Sequence, residues 1–154
     1  MLTKLEKLED YVYDCDIHIH NAHFSKTKKA ACIGRQYKNI ILDKQAIESN
    51  AEEGMLLAEE LGHYETEGLF VMNADVNSVY SRFNRGKQEV KARHFSYMMY
   101  ISASDIRRAA EWCGRDDYAI AEYMEVSVED LRKAIRYYLS IGMDFSFIGD
   151  FDIA

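Results

Sequence analysis

Residues 46–64 read AIESNAEEGMLLAEELGHY, and this stretch decides the fold of the chain. On a helical wheel of about 100° per residue it separates into an apolar side and an acidic side. The residues predicted to be buried are Ala51, Met55, Leu57, Ala58, Leu61 and Tyr64. The residues on the opposite side are Glu52, Glu53, Glu59, Glu60, His63 and Glu67. The pattern therefore predicts a long amphipathic helix, with Gly68 as the residue that closes it.

The segment before this helix has the pattern of short strands. Residues 16–20 alternate isoleucine with polar side chains, and residues 29–33 and 39–43 read as two strands joined by a turn. A short amphipathic helix precedes them at the start of the chain. Together these patterns predict an α+β fold, in which a small, mostly antiparallel sheet of about three strands packs against the long helix and further helices.

The second half of the chain is predicted to be helical. Residues 69–86 are mixed in pattern and predict a loop or a short helix, whereas residues 87–101 predict a second long helix. Ser104 and Asp105 have the character of an N-terminal cap for a third helix, which Gly114 would end.

A helix pair over residues 116–124 and 127–141 follows, with Ser127 and Asp130 in the spacing of a capping box. The tail over residues 144–154 predicts a terminal strand or a docked extension. We therefore divide the chain into a domain over residues 1–101, which contains the long amphipathic helix, and a C-terminal helical subdomain over residues 102–154, which resembles a helix-turn-helix.

Composition and charge exclude several classes of protein. The 154 residues suit a small globular protein, and the net charge of -7 disfavours nucleic acid as the first partner. Three widely spaced cysteines do not form a disulfide framework and are expected to be reduced thiols. The N-terminus lacks the apolar run of a signal peptide, and no stretch is long enough to span a bilayer. We expect a soluble, cytoplasmic protein.

The long helix carries a pattern that suits a metal site. Glu59 and His63 are four residues apart, so their side chains lie one above the other, with Glu60 beside them. Two ligands one turn apart can hold zinc, with a third ligand from elsewhere and an open position for water, whose proton an adjacent carboxylate takes. The best-known form of the motif is H-E-x-x-H, and Glu59 replaces its first histidine. A solvated acidic helix face has the same pattern and stays open as an alternative.

Residues 57–64, LAEELGHY, resemble the active-site helix of the ImmA/IrrE family of metallopeptidases, a branch of which has E-E-L-G-H at this place. Residues 87–96, KQEVKARHFS, resemble the second conserved helix of the family, and residues 118–138 resemble its helical C-terminal part. On the second helix Glu89, Ala92, Arg93 and Ser96 share one face, and the small residues would let the two helices approach closely. Phe95, Met98 and Met99 are predicted to face the core.

The resemblance implies roles for individual residues and a task for the protein. Glu60 would be the general base, His63 and Glu89 metal ligands, and Glu59 a ligand in the position usually held by histidine. The metal would be Zn²⁺, although one histidine with two carboxylates also tolerates Mn²⁺ or Fe²⁺. The family implies an endopeptidase that cleaves or inactivates a helix-turn-helix transcriptional repressor, which relieves repression of a mobile element or a stress response.

Two other functions stay open at this point. One is a catalytically inactive antirepressor that binds the repressor without cutting it. The other is a DNA-binding regulator that uses the C-terminal helices, although the carboxylates around Arg132, Lys133 and Arg136 make direct DNA binding unfavourable. His18, His20 and His23 form an H-x-H-x-x-H cluster, which either binds a metal or forms the polar face of an edge strand. The sequence does not identify the substrate, the scissile bond, the oligomeric state or the activating signal.

Overall fold

The computed structural model describes residues 1–24, 27–33, 38–66 and 79–145. Its strands are β1 (His18–Asn21), β2 (Ala30–Ile33) and β3 (Asn39–Leu42). Its helices are α1 (Lys4–Asp14), α2 (Asn50–Thr66), α3 (Val79–Tyr100), α4 (Ala103–Cys113), α5 (Asp117–Tyr123) and α6 (Val128–Ser140). The predicted α+β class is confirmed, with one small sheet beside a mainly helical body.

The sheet is mixed, with the strand order β1-β3-β2. β2 pairs antiparallel with β3, as the predicted hairpin requires, whereas β1 pairs parallel with β3. The sheet was predicted to be mostly antiparallel, and it is antiparallel in one of its two pairings. In the other pairing β1 lies on the side of β3 opposite to β2 and runs in the same direction as β3. Ile40 and Leu42 of β3 are completely buried, so the central strand presents alternate side chains to the core.

α2 packs against α3 through residues that have little or no side chain. A Cβ added at Gly62 would lie 2.4 Å from the carbonyl oxygen of Ala92, so the two helix backbones are in close contact there. Ala92 and Ser96 of α3 are completely buried on the same face. The predicted close approach of the two helices is confirmed, as is the burial of Leu57 and Leu61 on α2.

The predicted starts of two helices and one predicted burial were wrong. α2 begins at Asn50, four residues after the predicted start of its helical pattern. α3 begins at Val79, eight residues before the predicted start, because the exposed Gly86 lies inside the helix and does not end it. Met98 is 52% exposed, although it was predicted to face the core. Of the loop or short helix predicted over residues 69–86, residues 69–78 lie outside the described residues, as does the helix-closing Gly68.

The caps of the C-terminal helices follow from their sequences. The N-cap of α4 is Ser102, whose Oγ accepts the backbone N–H of Asp105 at 3.2 Å, so the cap lies two residues before the predicted Ser104. Gly114 ends α4 with a φ of 71°, as predicted. Ser127 is the N-cap of α6, as its position predicts, and accepts the backbone N–H of Asp130 at 3.0 Å. The Asp130 carboxylate accepts the Ser127 hydroxyl at 2.7 Å.

A single hydrophobic cluster joins the two predicted domains. Tyr138 of α6 is buried, and its hydroxyl donates to the carbonyl oxygen of Ile101 at 2.8 Å. Phe145, at the start of the tail, stacks on Tyr138 and is 2% exposed, whereas residues 146–154 lie outside the described residues. The domain division at residue 101 stays a prediction. None of the helices in the described ranges combines the length and apolar composition that crossing a bilayer requires.

Candidate metal centre

Three side chains from α2 and α3 converge on one point. One ligand atom each from Glu59, His63 and Glu89 lies within 4.8 Å of the other two. His63 Nε2 and Glu89 Oε2 are 3.4 Å apart. Among the residues that the structure describes, no other group of three or more histidines, cysteines or carboxylates is close enough to hold a metal ion.

The local structure explains why these residues meet. Glu59 and His63 are one turn apart on α2, so the helix period alone places them together. Glu89 comes from the other helix and lies one turn before Ala92, whose backbone touches Gly62, the residue next to His63. The contact between the two backbones therefore brings Glu89 within reach of His63.

The site is partly enclosed, which argues against a merely solvated acidic helix face. The side chain of His63 is 11% exposed and that of Glu59 is 25% exposed, while Glu89 is 55% exposed at the mouth. Arg93 on α3 places a guanidinium nitrogen 3.8 Å from Glu59 Oε1, where it compensates part of the negative charge.

Glu60 lines the same pocket of about 320 Å³ as the three converging side chains. Burial raises the pKa of the Glu60 carboxyl to about 7, against the attraction of His63 and Lys28. A backbone N–H donated by Cys32 of β2 also contacts this carboxylate, so the edge of the sheet closes the pocket on that side. A carboxyl group with such a pKa can accept and release a proton near neutral pH.

The sequence did not predict that Lys28 and Cys32 belong to the site, because residues 28–32 reach the pocket only when the sheet packs on α2. No local spacing links them to Glu60. Arg93 was placed correctly on the face of α3 that carries Glu89, but its ion pair with Glu59 depends on the exact crossing of the two helices.

The three N-terminal histidines do not gather into a further metal site. The ring centroids of His18 and His20 are 6.5 Å apart, and His20 is hydrogen-bonded to Asn39 at 2.7 Å. His23 contacts the buried carboxylate of Asp43 at 2.8 Å. Within the described residues they therefore form polar contacts at the edge and end of the sheet.

The basic residues of α6 are partly occupied by carboxylates. Arg132 pairs with Asp117 at 2.6 Å and Lys133 pairs with Glu129 at 2.7 Å. A helix that reads DNA needs its cations directed at phosphates. The expectation that direct DNA binding is unfavourable stays a prediction.

An α+β fold with two carboxylates and a histidine converging beside a further glutamate has the arrangement of a metal-dependent peptidase. The comparison with family models agrees with this class. The model of the IrrE N-terminal-like domain, Peptidase M78, matches residues 13–136. The chain therefore belongs to this metallopeptidase family, and the predicted ImmA/IrrE relationship is confirmed. Comparisons with curated proteins and with solved structures found no match.

Proposed function

We propose that the protein is a metal-dependent endopeptidase in which Glu59, His63 and Glu89 hold the metal ion and Glu60 acts as the general base. The observation that carries the proposal is the convergence of three ligand atoms within 4.8 Å in a pocket that Glu60 also lines. Family membership supports the same reaction class. Metal analysis of Glu89→Gln tests the ligand role, and the activity of Glu60→Gln tests the role of the general base.

The residues fit a metal ion by their chemistry and by their spacing. Zinc bonds of about 2.0–2.2 Å in a tetrahedral arrangement separate two ligand atoms by roughly 3.4 Å. His63 Nε2 and Glu89 Oε2 are 3.4 Å apart, so this pair needs no rearrangement. Three protein ligands also leave a coordination position for water or substrate, as in catalytic zinc sites.

The chemistry that a bound metal ion supplies is Lewis acidity, which lowers the pKa of water toward ~7 and polarises a peptide carbonyl. Glu60 takes the proton of the attacking water and then delivers it to the leaving amine. The N–H of Cys32 orients the Glu60 carboxylate, and Arg93 holds the Glu59 carboxylate in place. We propose Zn²⁺ as the metal, with Mn²⁺ or Fe²⁺ as alternatives because two of the three ligands are carboxylates.

Metal analysis tests the ligand assignment. We expect about one transition metal per chain after purification without chelators, as one mononuclear site requires. Glu89→Gln should lose most of this metal, because an amide is a poorer ligand than a carboxylate. Glu111→Gln, which makes the same change at an exposed position of α4, should retain it. Equal metal content in both variants would remove Glu89 from the site.

Glu60→Gln tests the catalytic assignment. The variant should bind the same amount of metal and the same partner as the wild type, but cleave nothing, because an amide cannot accept the proton. Full activity of Glu60→Gln would show that another group is the base.

The proposed target is a helix-turn-helix transcriptional repressor of the same mobile element or stress regulon. The family resemblance supports this target, and the acidic surface of the chain, with a net charge of -7, favours a protein partner over DNA. Incubation with the repressor encoded beside the gene, followed by mass spectrometry, should yield two fragments with the wild type and none with Glu60→Gln. Release of the repressor from DNA without fragments would favour an antirepressor that acts by binding alone.

A further inference from the structure

A second pocket of about 620 Å³ adjoins the candidate metal centre. It lies where α2, α3 and α6 meet, and its volume is in the range of sites that bind ligand-sized groups. Glu59 lines both this pocket and the pocket of the metal centre, so the two meet at that side chain. A chain bound at the metal centre would enter the second pocket directly.

Cationic side chains from two helices line this second pocket. They are Arg93 of α3 with Lys133 and Arg136 of α6. In the part of the chain that the structure describes, no carboxylate lies within ion-pair distance of Arg136, and Lys133 has only an exposed i,i+4 pair with Glu129. Exposed pairs of this kind contribute little energy and exchange readily.

Two carboxylates also line the second pocket. Asp130 accepts the hydroxyl of Ser127 at 2.7 Å, and Glu59 lies 3.8 Å from Arg93 at the edge of the metal centre. Three cations against two carboxylates leave the lining with a small excess of positive charge, on a chain whose net charge is -7. A local field opposite in sign to the rest of the surface selects ligands by their charge.

Aromatic rings form one wall of the second pocket. The ring of His94 stacks on that of Tyr137 with a centroid separation of 4.0 Å, and Tyr97 lies 5.9 Å from Tyr137. Tyr97 is 4% exposed, so this wall is anchored in the core. Flat rings beside guanidinium groups suit a ligand that has both an apolar stem and an anionic end, as aspartate and glutamate side chains do.

We propose that the second pocket is a substrate subsite that binds an acidic side chain of the target polypeptide, close to the bond that is cut. The inference rests on the proposed function, since it names the substrate class of the same site. Guanidinium groups bind carboxylates with two parallel hydrogen bonds, which gives both affinity and orientation. Because Glu59 lines both pockets, the subsite borders the candidate metal centre.

The experiment measures peptide binding by the full chain, with fluorescence anisotropy. The probes are three labelled peptides of equal length in a Gly-Ser background, with a central Asp-Glu-Asp, Asn-Gln-Asn or Lys-Lys-Lys. Glu60→Gln is the protein background, so no peptide is consumed during the measurement. The acidic peptide should bind about tenfold more tightly than the neutral one, as one charged hydrogen bond predicts, and its affinity should fall as salt is added.

Charge reversal locates the site. Arg136→Glu should weaken binding of the acidic peptide by about tenfold or more, and Lys133→Glu should act in the same direction. Arg115→Glu, which makes the same charge change at an exposed position outside this pocket, should change the affinity by less than about twofold. Equal losses for Arg136→Glu and Arg115→Glu, or no preference for the acidic peptide, would overturn the proposal. Arg93 is left unchanged because it contacts Glu59.

The binding experiment separates this proposal from the proposed function. Binding of the acidic peptide through Arg136, together with a wild type that cleaves no peptide or repressor, would support the site for an acidic side chain and refute the peptidase. Cleavage of the repressor, together with equal binding of acidic and neutral peptides, would support the peptidase and refute the subsite.

Discussion

Replacing Gly62 with alanine tests the contact that brings the two site helices together. The added Cβ would lie 2.4 Å from the carbonyl oxygen of Ala92 and 3.0 Å from its Cα. Ordinary contacts begin at 3.4 Å, so α2 and α3 would have to separate locally by about 1 Å. The atoms that must move belong to the backbone of a buried residue, so a side-chain rotation cannot relieve the clash.

The size of the effect follows from two opposing terms. Alanine stabilises a helix by about 1 kcal/mol relative to glycine. Overpacking a buried contact costs about 1–3 kcal/mol. Gly86 on α3 has nothing within 4 Å of an added Cβ, so Gly86→Ala gains the helix term alone. We therefore expect Gly62→Ala to be about 1–3 kcal/mol less stable than Gly86→Ala, and this difference isolates the clash.

Two measurements check this expectation. Urea unfolding followed by circular dichroism gives the free energy of unfolding of each variant. Competition with a chromophoric chelator gives the zinc affinity, which should fall on the order of tenfold in Gly62→Ala, because the separation moves Glu89 away from His63. If Gly62→Ala gained as much stability as Gly86→Ala and kept its zinc affinity, the helix contact would not position Glu89.

Three further predictions concern folding. Ser127→Ala should lower the free energy of unfolding by about 1 kcal/mol through loss of the α6 cap, whereas Ser127→Thr should keep most of it, both measured in urea. Tyr138→Phe should cost about 1–2 kcal/mol by leaving the buried carbonyl of Ile101 without its 2.8 Å donor, and an unchanged urea midpoint would contradict this. Burial lowers the pKa of Lys4 to about 8. The unfolded chain keeps this proton up to about pH 10, whereas the folded chain releases it at lower pH. The free energy of unfolding should therefore rise from pH 8 to pH 9.5 by roughly 1–2 kcal/mol more in the wild type than in Lys4→Met. Equal slopes in the two proteins would refute the burial of the ammonium group.

The sequence predicted what depends on local periodicity. The pairing of Glu59 with His63 follows from the helix repeat, and the hairpin of β2 and β3 follows from two apolar runs around a turn. The parallel pairing of β1 could not be predicted in the same way, because its direction depends on where the strand docks and not on its own residues. The early start of α3 was missed because residues 69–86 are mixed in pattern, whereas the helix begins at Val79 and continues through the exposed Gly86.

The convergence of Glu89 on His63 lies between these two cases. In the sequence, Glu89 was assigned as a ligand only through its match to the second conserved helix of the family. The small residues of α3 predicted the close approach of the two helices, and the contact between Gly62 and Ala92 explains how Glu89 reaches His63. The second pocket had no such signal, since Arg93 and Arg136 come together only once α6 has docked through Tyr138. A motif on one helix can therefore be predicted from spacing, whereas the ligand on the second helix was identified through the family resemblance. A subsite that needs a third helix depends on tertiary packing that no short stretch of sequence encodes.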